Sequence, residues 1–378
     1  GTYVEGIVGG REGVEAIAAK VTKAGLFTVS RSGELVNLLV DSWTVNPEAT
    51  QYKFILKDGV SGAEIQAALE ENSDVIDQAA VTLEGRELTL TLPSPNPNLP
   101  LILTQPFFDY GPYKVSKITS KTTIFTRNTR PLAVTPYINK VIIHTFENNA
   151  ALEKAIQKHQ VDGAALEDKQ LENSDYSNQT LALPLYYALI FNINQAPFRD
   201  TDFRRQVIDR RGPSSKTFRL TVADSEPYRQ LAEGLITSWK AAGLQVTLDV
   251  RPLEEIQQKT APTRDFQLLL TGISYASGLD PYYLWHSSQI RPPGNNLSGI
   301  KSAKIDTILG QIRSTNNIEE RHNLINALHE VVKEEAVAVI LKQETGEFVV
   351  SKNIHFVPPL LPISISDRWQ SIALWWAR

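Results

Sequence analysis

The spacing of hydrophobic and polar positions predicts strands and helices that alternate along much of the chain. Residues 137–146 alternate as a strand does, residues 148–160 carry an apolar stripe at helical spacing, and residues 161–166 are again strand-like. Asn148 or Asn149 is placed to cap the N-terminus of this helix. The order of strand, helix and strand predicts a βαβ unit.

The same order recurs later in the chain. Residues 218–225 predict a strand, and the helix that follows should begin near Pro227 and end at Gly243, because glycine commonly ends a helix. Trp239 lies on the apolar stripe of this helix, so we expect it in the core. The next strand alternates cleanly at Leu244, Val246, Leu248 and Val250.

The two ends of the chain differ in character. Helical patterns at residues 302–314 and 317–335 precede a final apolar strand at 336–341, whereas residues 33–60 and 86–103 contain strands and turns. We therefore predict an α/β fold with helices on both faces of largely parallel sheets, together with a β-rich section in the N-terminal third.

Composition narrows the possible functions. A chain of 378 residues favours two compact units. The net charge of −4 gives no sign of a nucleic-acid or anionic-membrane surface. There is no cysteine, which excludes disulfides and thiolate chemistry, and there is no methionine. Because the chain starts at Gly1 without an initiator, we expect that residues have been removed upstream or are missing from the sequence.

Signals for catalysis or metal binding are weak. The segment HEVVK at 329–333 begins like a zinc-protease helix, but Lys333 stands where the second histidine is needed. It is therefore interpreted as a solvated helix face. His322 and His329 are seven residues apart, which is a poor basis for a metal site. No nucleophile elbow or phosphate loop occurs. We predict no catalytic residue, no metal and no cofactor.

Residues 272–289, GISYASGLDPYYLWHSSQ, form a turn-rich stretch with four aromatic residues that follows the end of a predicted strand. Ligands of open α/β sheets gather beyond the carboxyl ends of strands, and Tyr and Trp supply rigid contact area. The stretch therefore predicts a wall of a binding pocket. The alternative is a loop whose rings cap the edge of a core.

Six segments occur in a characteristic order. They are GTYVEGIVG at 1–9, LVDSWTVNPEATQYKFILKDGV at 39–60, DYGPYKVSKI at 109–118, RNTRPLAVTPYINKVIIHTFENNAALEKAIQKHQVDGA at 127–164, YYALIFNINQAPFRDTDFRRQ at 186–206 and NNLSGIKSAKIDTIL at 295–309. Together they resemble the family 5 extracellular solute-binding proteins of ABC importers, of the oligopeptide/dipeptide-binding type. The resemblance covers nearly the whole chain. It departs after KDGV and at GPSS, where segments usual in the family are absent.

The resemblance implies a two-lobe fold of the periplasmic-binding-protein type (class II), in which two chain crossings form a hinge and the lobes close on a ligand. Lobe I would comprise residues 1–170 and 341–378, with a reduced β-rich subdomain at about 20–100. Lobe II would comprise residues 171–340.

The resemblance also implies a function. The protein would be the extracytoplasmic substrate-binding component of an ABC importer, either periplasmic or lipid-anchored at the outer face of the membrane. It would be a monomer that captures a peptide-like solute and delivers it to the permease subunits, without nucleic acid and without chemical conversion. Three alternatives remain open: a sugar or other small polar solute, a sensor-type binding protein, and a hydrolase that uses Glu5 and Asp280.

The ligand-binding residues that this mapping implies are spread over the chain. They are Glu5, Gly6, Ile7, Phe107, Phe108, Tyr110, Tyr187, Asn192, Tyr275, Ala276, Ser277, Asp280, Tyr282, Trp285, Asn295 and Asn296.

One departure bears on the ligand. In peptide-binding members an Asp four residues before the loop proline pairs with the peptide ammonium group, and here that position is Ser277 before Pro281. A hydroxyl cannot neutralise an ammonium ion in a dry site. The ligand is therefore expected to lack a free amino terminus or to be anchored elsewhere, with Glu5 as the first candidate.

Overall fold

The computed structural model describes residues 1–130, 132–166, 173–275, 280–291, 294–360 and 362–377. The strands are β1 Thr2–Val8, β2 Phe27–Val29, β3 Leu35–Asn37, β4 Val40–Val45, β5 Gln51–Leu56, β6 Ala80–Glu84, β7 Glu87–Thr91, β8 Tyr113–Ile118, β9 Thr122–Arg127, β10 Lys140–Phe146, β11 Gly163–Ala165, β12 Tyr176–Phe191, β13 Thr217–Ala223, β14 Gln245–Arg251, β15 Leu268–Ser274, β16 Ala338–Ser351, β17 Ile354–His355 and β18 Trp376–Ala377. The α-helices are α1 Arg11–Thr22, α2 Gly62–Glu71, α3 Leu99–Ile102, α4 Asn149–Gln157, α5 Thr201–Asp209, α6 Tyr228–Ala241, α7 Leu253–Glu255, α8 Ala261–Thr263, α9 Tyr282–Trp285, α10 Ala303–Ser314 and α11 Ile318–Glu334.

The chain forms two compact units. Unit 1 contains residues 1–183, 316–318 and 345–378, and unit 2 contains residues 184–315 and 319–344. Strands β12 and β16 each run from one unit into the other, so the boundaries at 183/184 and 344/345 lie inside continuous strands. From the sequence, these crossings are expected at about 170 and 340. Strand alternation continues unchanged through a crossing, and it therefore does not mark where packing partners change.

The main sheet of unit 1 is built around β1. Its strands are ordered β16-β11-β1-β10-β9-β8, and β1 runs parallel to both β10 and β11. Helix α4 connects these two neighbours. Asn148 caps it by accepting the N–H of Ala151 at 2.9 Å, and Leu152 and Ile156 are buried. The predicted βαβ unit and its cap are confirmed.

A second sheet in unit 1 explains the β-rich sequence. It is four-stranded and antiparallel, in the order β4-β5-β7-β6. Alternation buries Tyr52, Phe54 and Leu56 along β5, opposite Leu88 and Leu90 of β7. The predicted β-rich section is confirmed.

The sheet of unit 2 orders its strands β14-β13-β15-β12. Strand β13 is parallel to β14 and β15, and β15 is antiparallel to β12. Helix α6 starts directly after Pro227 and ends before Gly243, whose φ of +81° suits glycine. Trp239 is 1% exposed and donates its indole N–H to the Val207 carbonyl at 2.9 Å, so its predicted place in the core is confirmed.

One expectation about these sheets needs correction. The sheets are mixed rather than largely parallel, because β8, β9, β12 and β16 pair antiparallel with their neighbours. Leu248, in the alternating strand β14, is 44% exposed because β14 is the last strand in the order of unit 2.

Candidate functional site

Glu5 of β1 lies in a buried ion pair. The carboxylate is 0% exposed, its Oε1 pairs with Nη2 of Arg368, and its Oε2 accepts the hydroxyl of Tyr3 at 2.6 Å. Burial, followed by the charge of Glu5, raises the pKa of Tyr3 well above its usual range. Both oxygens of Glu5 are thus engaged inside unit 1. This geometry does not support Glu5 as the anchor for a solute.

Gly6 and Ile7 pack against neighbouring helices. A Cβ at Gly6 would lie 2.3 Å from Cδ1 of Leu152, so the absence of a side chain lets α4 sit directly on β1. Ile7 is half-buried, and its Cδ1 would be 3.5 Å from a Cβ placed at Gly13 of α1. Both positions therefore hold helices onto the sheet of unit 1.

Phe107, Phe108 and Tyr110 belong to the hydrophobic core beneath the four-stranded sheet, and none is more than 8% exposed. The hydroxyl of Tyr110 accepts the N–H of Ser61 at 2.9 Å and Nη2 of Arg130 at 2.8 Å. The Arg130 guanidinium also lies 3.9 Å from the ring centre. These contacts give the three residues a packing role.

The aromatic stretch of unit 2 centres on Tyr275. Its hydroxyl accepts the indole N–H of Trp285 at 3.0 Å and lies 3.1 Å from Nε2 of His329, and the Tyr186 ring contacts the same imidazole at 4.9 Å. Burial lowers the pKa of His329 to about 4, so at neutral pH the imidazole is uncharged and its Nε2 can accept from Tyr275. The prediction of a solvated face at His329 is therefore wrong, because α11 turns this residue toward aromatic rings.

Asp280 is neutralised by an arginine. Its Oδ2 accepts Nε of Arg313 at 2.9 Å and Nη2 at 2.7 Å, and its Oδ1 accepts the N–H of Tyr282 at 3.0 Å. The same guanidinium lies 3.5 Å from the centre of the Tyr282 ring, which stacks on His286 at 4.2 Å. Asp280 therefore fixes the start of α9 rather than presenting an open charge.

The three predicted asparagines have different surroundings. Asn192 is buried and donates to the carbonyls of Arg264 and Phe266 at 3.0 Å. Asn296 is also buried, and its amide donates to the carbonyls of Trp285, His286 and Ile300 at 3.1, 3.2 and 3.0 Å. Asn295 is exposed.

Two further predicted positions, Ala276 and Ser277, lie outside the described residues. Among the rest, unit 2 brings together Tyr275, Trp285 and Asn296, and next to them Asp280 and Tyr282.

A group that the sequence analysis recognised only in part surrounds Tyr187. The carboxylate of Glu344 acts electrostatically on its hydroxyl, and its ring meets that of Tyr228 edge-on at 5.5 Å. Burial, and then the charge of Glu344, raises the pKa of Tyr187 to about 12. We refer to Tyr187, Tyr228 and Glu344 as the Glu344 cluster. All three belong to unit 2.

Two details of the Glu344 cluster are relevant to binding. Gly272 pairs with Tyr187 across β12 and β15, and a Cβ there would lie 2.6 Å from the Tyr228 hydroxyl, so glycine makes room for that ring. Oε2 of Glu344 is shielded from solvent and accepts no hydrogen bond from any described residue. A carboxylate oxygen without a donor beside two aromatic rings has the chemistry that recognises an ammonium or guanidinium group. No sequence motif marked Glu344 or Tyr228.

Two features that would point to other functions are absent from the described ranges. Within them, no three His, Asp or Glu side chains are grouped as metal ligands. No helix there has both the length and the apolarity to cross a bilayer.

Comparison with known proteins identifies the fold. No family model matches the sequence, and no curated protein does. The structure is similar to that of the nickel ABC transporter from Bacillus halodurans (TM-score 0.74, 15% identity, covering 97% of this chain and 98% of that one). It is similar to HbpA2 from Haemophilus parasuis (TM-score 0.76, 11% identity, covering 94% of this chain and 96% of that one). It is also similar to the oligopeptide-binding protein AppA from Bacillus subtilis, solved with a nonapeptide (TM-score 0.58, 13% identity, covering 100% of this chain and 99% of that one). The α/β fold is thus that of the ABC solute-binding proteins the sequence resembles.

Proposed function

We propose that this protein is the extracytoplasmic substrate-binding component of an ABC importer, and that its cargo is a peptide-like solute with a free ammonium group. The observation that carries the proposal is the similarity of fold, over almost the whole chain, to proteins whose names describe ABC transport and peptide binding. A protein of this kind binds and releases its cargo without converting it.

The state of the carboxylates supports binding over hydrolysis. An acid/base pair needs two carboxyl groups that are free to exchange protons with the substrate. Glu5 is paired with Arg368 and Asp280 with Arg313, in each case inside one unit and with little exposure of the carboxylate. Neither residue is in the state that the hydrolase alternative requires.

The Glu344 cluster supports a cationic cargo. A carboxylate oxygen that is shielded from solvent costs free energy when it has no donor, and Oε2 has none among the described residues. The α-ammonium group of a peptide would supply the donor and the countercharge, and the rings of Tyr187 and Tyr228 would add a cation–π contact. Glu344 thus takes the role that the sequence analysis assigned to Glu5.

Calorimetry with one mixed-sequence tripeptide pool, in free and N-acetylated forms, tests both parts of the proposal. Wild type should bind the free pool at least about tenfold more tightly than the acetylated pool, since removing one partner of a desolvated charge pair costs about 2 kcal/mol or more. Glu344→Gln should lose this preference. Glu330→Gln, on an exposed face of α11, is the matched control and should keep it.

The outcomes distinguish the claim that the cargo is a peptide from the claim that Glu344 binds its ammonium group. Binding of both pools with equal affinity by wild type would reject Glu344 as the ammonium anchor and keep a peptide cargo. Failure of wild type to bind either pool, together with saturable binding of a neutral sugar or another small polar solute, would reject the peptide cargo.

A further inference from the structure

Unit 1 contains a cavity that is separate from every residue discussed above as a solute contact. Its volume is about 500 Å³, within the range of small-molecule sites. The residues that line it include Lys20, Lys23, Arg31, Val134, Pro358 and Leu374. We refer to it as the α1 cavity, because Lys20 lies in the last turn of α1 and Lys23 directly follows that helix.

The interior of the α1 cavity is apolar. Pro358 and Pro359 have no backbone N–H to offer, so this wall presents few donors. The hydroxyls that line the cavity include two with internal partners. Thr104 donates to the Leu101 carbonyl at 2.7 Å, and Ser371 donates to the Arg368 carbonyl and accepts the indole N–H of Trp375, both at 3.0 Å. The walls therefore suit a hydrocarbon or aryl body.

The charges at the α1 cavity are all of one sign. Among the described residues that line it, Lys20, Lys23 and Arg31 are charged and none is a carboxylate. Lys20 is already neutralised, since its Nζ lies 2.6 Å from Oδ1 of the buried Asp367. Within the described part of the chain, Lys23 and Arg31 form no ion pair, and Lys23 is only half-exposed. An apolar cavity with two uncompensated cations favours a ligand with an apolar body and an anionic end.

We propose that the α1 cavity binds an amphipathic monoanion, namely a medium-chain alkyl or aryl carboxylate. The apolar body lies between the proline wall and Leu374, and the carboxylate pairs with Lys23 and Arg31. Because every described residue that lines the cavity belongs to unit 1, this site is distinct from the Glu344 cluster of unit 2 and does not depend on the proposed function.

Calorimetry with decanoate and decanol, both below the concentration at which decanoate forms micelles, tests the proposal. Wild type should bind decanoate saturably and at least about tenfold more tightly than decanol, because one charge-assisted contact contributes about 1.5 kcal/mol or more. Lys23→Met keeps the apolar stem and removes the charge. It should reduce the preference for decanoate to the part that Arg31 supplies and leave decanol binding unchanged. Lys114→Met, on the exposed strand β8 of the same unit, is the matched control and should behave as wild type.

A second variant tests whether the ligands bind inside the α1 cavity. Val134→Trp, at a half-buried lining position, should block the binding of both ligands, whereas Glu344→Gln should affect neither. Equal affinity of wild type for decanoate and decanol would overturn the proposal. So would the absence of saturable decanoate binding, or decanoate binding that survives Val134→Trp and is lost in Glu344→Gln.

Discussion

Trp285 donates its indole N–H to the hydroxyl of Tyr275 over 3.0 Å, and each of the two side chains is 1% exposed. The ring of Trp285 is therefore part of the packing of unit 2. Trp285→Ala should lower the free energy of unfolding by about 3–5 kcal/mol, because it leaves a cavity and removes the donor to Tyr275. Urea denaturation followed by far-UV circular dichroism measures this loss.

Tyr283 supplies the control for this prediction. It lies two residues away in the same helix and is 53% exposed, so Tyr283→Ala should change the stability by less than about 0.5 kcal/mol. If Trp285→Ala instead unfolds like wild type but binds its solute more weakly, the ring is a pocket wall, as the sequence analysis predicts.

His329 should make the stability depend on pH. Burial lowers its pKa to about 4 in the folded state, below the value of 6.5 in the unfolded chain. The unfolded state therefore binds the extra proton between these values. The stabilising effect is fully present above pH 6.5 and is lost as the pH falls toward 4, by a total of about 3 kcal/mol.

The comparison of wild type with His329→Gln isolates this effect from other titrating groups. Denaturant midpoints between pH 4 and pH 7.5 should fall more steeply for wild type than for His329→Gln. His322→Gln, at an exposed position of the same helix, should follow wild type. Parallel curves for wild type and His329→Gln would contradict the burial of a neutral imidazole.

The stability of unit 1 depends on Arg368, because Arg368 supplies the countercharge of the buried Glu5. Arg368→Met leaves the carboxylate in a dry environment without its countercharge, and it should cost about 3–5 kcal/mol of stability. Glu5→Gln combined with Arg368→Met should be more stable than Arg368→Met alone, and a double-mutant cycle measures this coupling. Arg11→Met, which breaks an exposed pair with Glu15, should have little effect. Additive effects of the Glu5 and Arg368 substitutions would contradict the ion pair.

Gly6 and Gly13 should respond to alanine in opposite ways. At Gly6 the new methyl group would meet Cδ1 of Leu152 at 2.3 Å, and the overpacking should cost about 1–3 kcal/mol. At Gly13 the nearest atom, Cδ1 of Ile7, would be 3.5 Å away, and alanine should stabilise α1 by about 0.5–1 kcal/mol. Thermal unfolding of the two variants measures whether each substitution lowers or raises the stability. A neutral Gly6→Ala would show that α4 can move away from β1.

The periodic elements were the predictable part of the fold. The cap at Asn148, the ends of α6 and the core position of Trp239 follow from local rules that act within a few residues, and the order of segments indicated the family fold. The exposure of Leu248 depends instead on β14 having no outer neighbour in unit 2. The alternation of a single strand contains no information about such neighbours.

The candidate site was less predictable, because its charges depend on distant partners. The partner of Glu5 is Arg368, which is 363 residues away, and the partner of Asp280 is Arg313 of α10, which is 33 residues away. A residue list from a family resemblance gives positions near the ligand but does not show which carboxylate already has a countercharge. Glu344 stood in an ordinary strand sequence, and only the missing donor at its Oε2 distinguishes it.

Unit 1 is assembled from segments that lie on both sides of unit 2 in the sequence, and this has a consequence for synthesis on the ribosome. Residue 163 of β11 pairs with residue 350 of β16, and Glu5 pairs with Arg368, so these contacts cannot form until residues 350 and 368 have been translated. The residues of unit 2 all precede residue 345. Because domains generally fold as units during synthesis, unit 1 begins before unit 2 in the sequence but is completed after it. Until Arg368 has been made, β1 exposes an unpaired carboxylate to any chaperone that binds nascent chains.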